Sequence, residues 1–164
     1  MHDFRYIGNR LHCEGVRVES LVNRFGTPLY IYSQSTLTDH FVKLTRSLSP
    51  LDHLVCYAMK SNSNRSVLKV MSDLGSGFDI VSGGELERVV AAGGDSSKCI
   101  FSGVGKTESE IALALHKGIY AFNVESEPEL KRIDRVARRL KKKAPIAIRV
   151  NPDVDAKTHA KITT

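Results

Sequence analysis

Lys60 is the residue whose type and setting most invite chemistry. It follows residues 54–59, an apolar run that reads as a buried strand, and it precedes the polar turn Ser61-Asn62-Ser63-Asn64 and a new helix. A lysine where a strand stops and a βα-loop begins is fixed by the strand, while the loop leaves room for a ligand. Desolvated there, its amine becomes a nucleophile toward an aldehyde. Left in water, it is an ordinary surface cation. Two more charges interrupt apolar strand patterns. Asp79 lies near the end of residues 78–81, and an acid inside an apolar strand needs a partner, for which Lys60 on the neighbouring strand is the expected one. Arg149 stands between Ile148 and Val150. Turned inward it needs an acid such as Asp79, or a bound anionic group; turned outward it lies among helices.

Two further motifs have plainer readings. Gly103-Val104-Gly105-Lys106-Thr107 imitates the end of a phosphate-binding loop, but that motif needs a glycine five positions before Gly105, and Ile100 stands there. Thr107 with Glu110 makes a capping box that accounts for the helix start without a nucleotide. Ser82 with Glu85 has the same spacing, and Gly83 and Gly84 permit a tight turn between strand and helix.

The elements that must position these groups alternate regularly. Strands are expected over 54–59, 78–81, 99–102, 119–124 and 146–150. Between them lie helices whose inward faces carry Val67, Leu68, Met71 and Leu74; then Leu86, Val89 and Val90; then Ile111, Ala112 and Leu115; then Leu130, Ile133, Val136, Ala137 and Leu140. Units of about 20 to 26 residues are what a parallel α/β sheet requires. Such a series fits either an open doubly wound sheet or part of a barrel. Upstream, a short strand pair around Gly8-Asn9 is expected within 4–13, a helix over 18–25 stopped by Gly26, and a strand over 29–32 entered through Pro28. Ser35 is the expected cap of the next helix, whose Leu37, Phe41, Leu44 and Leu48 share a face before Pro50.

Composition narrows the classes. Apolar content of 41% with 26% charged residues is that of a soluble globular chain. No apolar run approaches the roughly 20 residues that cross a bilayer, and the amino terminus lacks the apolar core of a signal peptide, so the expected compartment is the cytoplasm. Three widely spaced cysteines and six histidines without ligand spacing indicate neither a disulfide framework nor a metal site. The net charge of +6 comes largely from residues 131–143. Cations crowding a helix end complement its dipole, and with no aromatic platform nearby they read as a solvated face rather than a nucleic-acid surface.

The wording of several segments adds a resemblance. Tyr57-Ala58-Met59-Lys60 followed by Asn62 resembles the cofactor-lysine motif of the fold-type III, alanine-racemase-like decarboxylases that use pyridoxal phosphate. Gly26-Thr27-Pro28-Leu29-Tyr30-Ile31-Tyr32, Gly77-Phe78-Asp79-Ile80-Val81-Ser82-Gly83-Gly84-Glu85-Leu86, Asn123-Val124-Glu125-Ser126 and Arg149-Val150-Asn151-Pro152 are similar, in the same order, to the diaminopimelate decarboxylase family. The resemblance implies a partial (β/α)8 barrel of about five of the eight strands over residues 35–164, preceded by residues 1–34 as the first segment of a β-domain. It implies that Lys60 holds pyridoxal phosphate covalently, with Asp79 and Arg149 beside it as catalytic and cofactor-binding residues. His159 would join them from Thr158-His159-Ala160, similar to the family's loop after the fifth strand but with Ala160 where a proline is usual. The implied reaction is decarboxylation of meso-diaminopimelate to L-lysine and carbon dioxide by a homodimer, with no nucleic-acid or membrane partner. Ornithine or arginine decarboxylase, alanine racemase and a non-catalytic pyridoxal phosphate carrier are the rivals. Family members continue well beyond Thr164, so the chain is expected to be an amino-terminal part, inactive alone.

Overall fold

The computed structural model describes residues 2–154 and residue 157. The chain opens with two strands, β1 (Phe4–Ile7) and β2 (Arg10–Cys13), paired antiparallel across the Gly8-Asn9 turn. Both turn residues have left-handed φ, 54° and 59°, the geometry of a two-residue hairpin whose twist matches its strands. A two-residue strand, β3 (Val16–Arg17), adds to β2 and leads into α1 (Val18–Phe25), which Gly26 ends at φ 78°. The strand expected over 29–32 does not form. Tyr30 is 86% exposed, and among the described residues no strand runs alongside for this segment to pair with. α2 (Gln34–Ser47) is capped by Ser33 rather than Ser35: Ser33 Oγ accepts from Thr36 N at 3.0 Å. Ser35 instead gives its N–H to Glu14, whose carboxylate also takes the Ser33 hydroxyl and so ties the first sheet to the helix that follows.

Five parallel strands then run side by side in chain order: β4 (Cys56–Ala58), β5 (Gly77–Ile80), β6 (Cys99–Phe101), β7 (Ala121–Val124) and β8 (Ile146–Ile148). Helices α3 (Arg65–Asp73), α4 (Gly83–Ala91), α5 (Glu108–Lys117) and α6 (Glu127–Arg139) make the crossovers. Strands alternate their side chains between faces, so Phe78, Ile80, Phe101, Phe122 and Val124 meet Leu68, Met71, Leu86, Val89, Ile111, Ile133 and Val136 in one buried core. Burying each large side chain there is worth about 1.5–3 kcal/mol. Sequential strand order with helices packed on one face is the pattern of a (β/α) barrel; a doubly wound sheet reverses its order and takes helices on both faces. The opposite face holds Ala58, Asp79, Ile100 and Asn123, and no described element covers it.

Neighbouring units approach closely where glycine allows it. A Cβ on Gly77 would lie 2.5 Å from the Lys98 carbonyl and 2.7 Å from Cys56 Sγ, so β4, β5 and the turn before β6 could not close around a larger residue. Helix starts are set by side chains: Asn64, Ser82, Thr107 and Ser126 each accept a backbone N–H from the first turn of the helix they precede. On α6 the cations face acids as well as water. Arg135 and Arg139 pair with Glu108, Arg138 with Asp134 and Lys131 with Glu127.

Candidate active site at the carboxyl edge of the parallel sheet

The strand that carries Lys60 is shorter than its apolar run suggests. β4 ends at Ala58, and Met59–Ser61 form one turn of 3-10 helix. Met59 is 1% exposed and anchors that turn in the core, while its neighbour Lys60 is exposed. Two bonds close the turn: Ser61 Oγ donates to the Ala58 carbonyl at 2.6 Å, and Tyr57 Oη donates to the Asn62 carbonyl at 3.1 Å. Arg88 of α4 reaches the Ser63 carbonyl at 3.3 Å and fixes the far side of the loop. Lys60 is therefore mounted rigidly at its base and open at its tip. Of the two settings open to it in the sequence, desolvated or left in water, the described residues provide the second.

Asp79 is the register partner of Ala58, two residues before Lys60, and lies on the open face. Its partner is not Lys60. Ser102, the residue after β6, donates its hydroxyl to Asp79 Oδ1 at 2.6 Å, and Asn123 of β7 donates its side-chain amide to Ser102 Oγ at 2.9 Å. Among the described residues no ion pair joins Asp79 to Lys60 or to Arg149. Arg149 continues the ladder one residue past β8, its N–H donating to the Val124 carbonyl at 2.9 Å, and its guanidinium meets Glu125 at 3.2 Å. The side chain of Arg149 is 57% exposed and that of Glu125 14%. Glu125 also takes the Gly103 N–H at 2.8 Å, which binds the loop after β6 to the end of β7. The sheet thus gathers Lys60, Asp79 and Arg149 along one edge, with Ser102, Asn123 and Glu125 between them. His159 lies outside the described residues.

The loop that imitates a phosphate-binding motif has a different use. Lys106 is 1% exposed, and its ammonium bonds the Gly103 carbonyl at 2.7 Å, the Asn123 carbonyl at 2.8 Å and Glu129 Oε1 at 2.5 Å. A lysine turned into the core and spent on three acceptors has no reach toward a nucleotide phosphate. Glu129 is itself 4% exposed and takes the Glu125 N–H at 2.8 Å on its other oxygen. Glu85 acts likewise at the preceding loop, accepting the Val81 N–H at 2.7 Å. Glu110 completes its capping box on Thr107 and reaches across to the Gly83 N–H at 2.8 Å. The Gly83 N–H, followed by that of Thr107, holds the Glu110 carboxyl below the usual carboxylate range. Behind the sheet, burial pushes the Cys99 thiol up to about 12.

Ser102, Asn123 and Glu125 were open to the reasoning that found Asp79, because each is a polar residue within or at the end of an apolar strand. What the sequence withholds is the register that sets them side by side. Among the described residues no group of His, Cys, Asp and Glu could hold a metal ion, and no helix is long and apolar enough to cross a membrane.

Comparison with known proteins bears on the whole edge. The family described as pyridoxal-dependent decarboxylase, pyridoxal binding domain, matches residues 34–164. The diaminopimelate decarboxylase of Neisseria meningitidis serogroup B is 58% identical over 154 residues, which are 94% of this chain and 37% of that protein. That of Pseudomonas aeruginosa is 52% identical over 164 residues, 100% of this chain and 40% of that protein. The crystal structure of diaminopimelate decarboxylase from Helicobacter pylori complexed with L-lysine superposes with a TM-score of 0.84 at 43% identity, covering 88% of this chain and 36% of that one. The chain therefore spans 36–40% of the length of these relatives.

Proposed function

This chain belongs to the pyridoxal-dependent decarboxylase family, as a pyridoxal-binding domain, and from that premise we propose that the protein carrying it converts meso-diaminopimelate to L-lysine and carbon dioxide. The observation that carries the reading is Lys60: an exposed amine on a core-anchored turn at the carboxyl edge of a parallel sheet. The 52–58% identity to diaminopimelate decarboxylases supports the choice of substrate.

The donor set fits pyridoxal phosphate at its reactive end. Lys60 has no carboxylate partner among the described residues, so its amine is available to hold the cofactor's aldehyde carbon. Once bound, the cofactor supplies an electron sink for the charge left on the substrate's α-carbon when carbon dioxide departs. The rest is the work of the chain. Asp79 presents a half-buried carboxylate one strand away from the Lys60 turn. Arg149 presents a planar guanidinium suited to a carboxylate or phosphate oxygen, and Glu125 fixes its base against β7. His159 is proposed as a further cofactor contact on the strength of the resemblance alone. Residues 1–34 are proposed as part of a β-domain and residues 35–164 as part of the barrel; α2 and the family match both begin at residue 34. A cytoplasmic homodimer is the state in which the enzyme is proposed to act.

The substrate is tested by expressing the protein with whatever coding sequence adjoins this chain and measuring carbon dioxide release. Turnover of meso-diaminopimelate, with ornithine and arginine near background, is expected. Preference for either of the latter contradicts the proposal.

A further inference from the structure

Asp79 is the end of a row whose other members have no role in the reading above. The row runs across three neighbouring strands and is directional. Asn123 donates to Ser102 Oγ at 2.9 Å, and a serine hydroxyl carries a single proton, so that proton is the one Ser102 gives to Asp79 Oδ1 at 2.6 Å. All three side chains are half-buried on the open face. The far end is pinned, because the Asn123 carbonyl accepts from Lys106 Nζ at 2.8 Å and Lys106 is locked to Glu129 and the Gly103 carbonyl. A lone aspartate on a strand turns about two side-chain bonds. A short bond to a hydroxyl that is itself held from behind removes that freedom.

We propose that Ser102 and Asn123 are positioning residues for Asp79: they fix its carboxylate in one orientation on the open face, next to the turn that carries Lys60. The inference rests on the reading of Lys60 and Asp79 as cofactor-side residues. Neither Ser102 nor Asn123 need touch cofactor or substrate to act in this way, and their effect passes through a single oxygen of Asp79.

The test uses S102A, S102T and N123A in the protein expressed with its adjoining coding sequence. In ligand-free protein, the 13C carboxyl resonance of Asp79, assigned by its loss in D79N, is expected to move in S102A and N123A and to stay near the parent value in S102T. In the loaded enzyme, S102A is expected to lower kcat for carbon dioxide release by about ten- to a hundredfold while KM changes by less than about threefold. S102T should restore most of the rate, and the absorption band of bound pyridoxal phosphate should move in S102A and not in S102T. An Asp79 resonance unchanged in S102A overturns the inference whatever the activity shows. A moved resonance beside unchanged kcat in an active enzyme also overturns it, as does a rate loss that S102T fails to restore. If the parent protein releases no carbon dioxide while the resonance still responds, the positioning stands and the functional reading falls.

Discussion

Lys60 combines an exposed amine with an immobile base, because Met59 is buried beside it and the turn is closed by Ser61 and Tyr57. Replacing it with alanine is expected to reduce carbon dioxide release to background without moving the melting temperature by more than about 2 °C, since an exposed lysine tip contributes little to stability. Calorimetry beside the activity assay checks both halves of that statement. Cys99 behaves oppositely: it is 0% exposed and its thiol is pushed up to about 12, so iodoacetamide at pH 8 should leave it unlabelled until denaturant is added. Labelling of Cys99 in the native protein contradicts the packing described for β6. At this scale the sequence announced Lys60, Asp79 and Arg149 as anomalies in apolar strands. It did not announce their partners. Asp79 was expected beside Lys60 and is bonded to Ser102. Arg149, if turned inward, was expected to meet an acid such as Asp79 or a bound anionic group, and it meets the acid Glu125; which group serves depends on strand register and not on residue type.

Lys106 and Glu129 join the loop after β6 to the first turn of α6 through a buried ion pair, and removing either side chain strands the other's charge in the core. Lys106→Met leaves Glu129 as an uncompensated buried charge, and a loss of about 3–5 kcal/mol is expected in urea unfolding. Adding Glu129→Leu should recover part of that loss, since no lone charge then remains. Glu110 links α5 to the start of α4 through the Gly83 N–H. Its folded pKa is lowered from the ordinary 4.5, so its contribution is present in full above that value and is lost as pH falls through the folded pKa. Glu110→Gln is expected to cost about 1–2 kcal/mol at pH 7, with the gap to the parent protein narrowing below about pH 4.5. A gap that stays constant from pH 7 to pH 3 contradicts the assignment. Elements of this kind were readable from capping residues and helical spacing, as with Thr107 and Glu110. Residues 29–32 were not. An apolar, aromatic run shows that a segment could join a sheet, and not that a partner strand lies beside it.

Across the whole molecule, the regular alternation of apolar runs gave away the five parallel strands, and their sequential order follows from short crossovers that keep every helix on one face. Strand lengths were overestimated, because hydrophobicity persists past the last ladder bond: Val150 is apolar yet lies beyond β8, 74% exposed. At β8 itself Ile148 is 70% exposed, and among the described residues the strand pairs only with β7. Expressed as these 164 residues alone, the chain is expected to associate with rising concentration, and Ile148→Lys should reduce that association in sedimentation velocity. The account turns, however, on where the cofactor is held. Pyridoxal phosphate bound to the protein, expressed with its adjoining coding sequence, is reduced with borohydride and the labelled peptide is mapped by mass spectrometry. A pyridoxyl group on Lys60 is the predicted result, and its appearance on Lys106, on Lys161 or on no lysine of this chain would contradict the account.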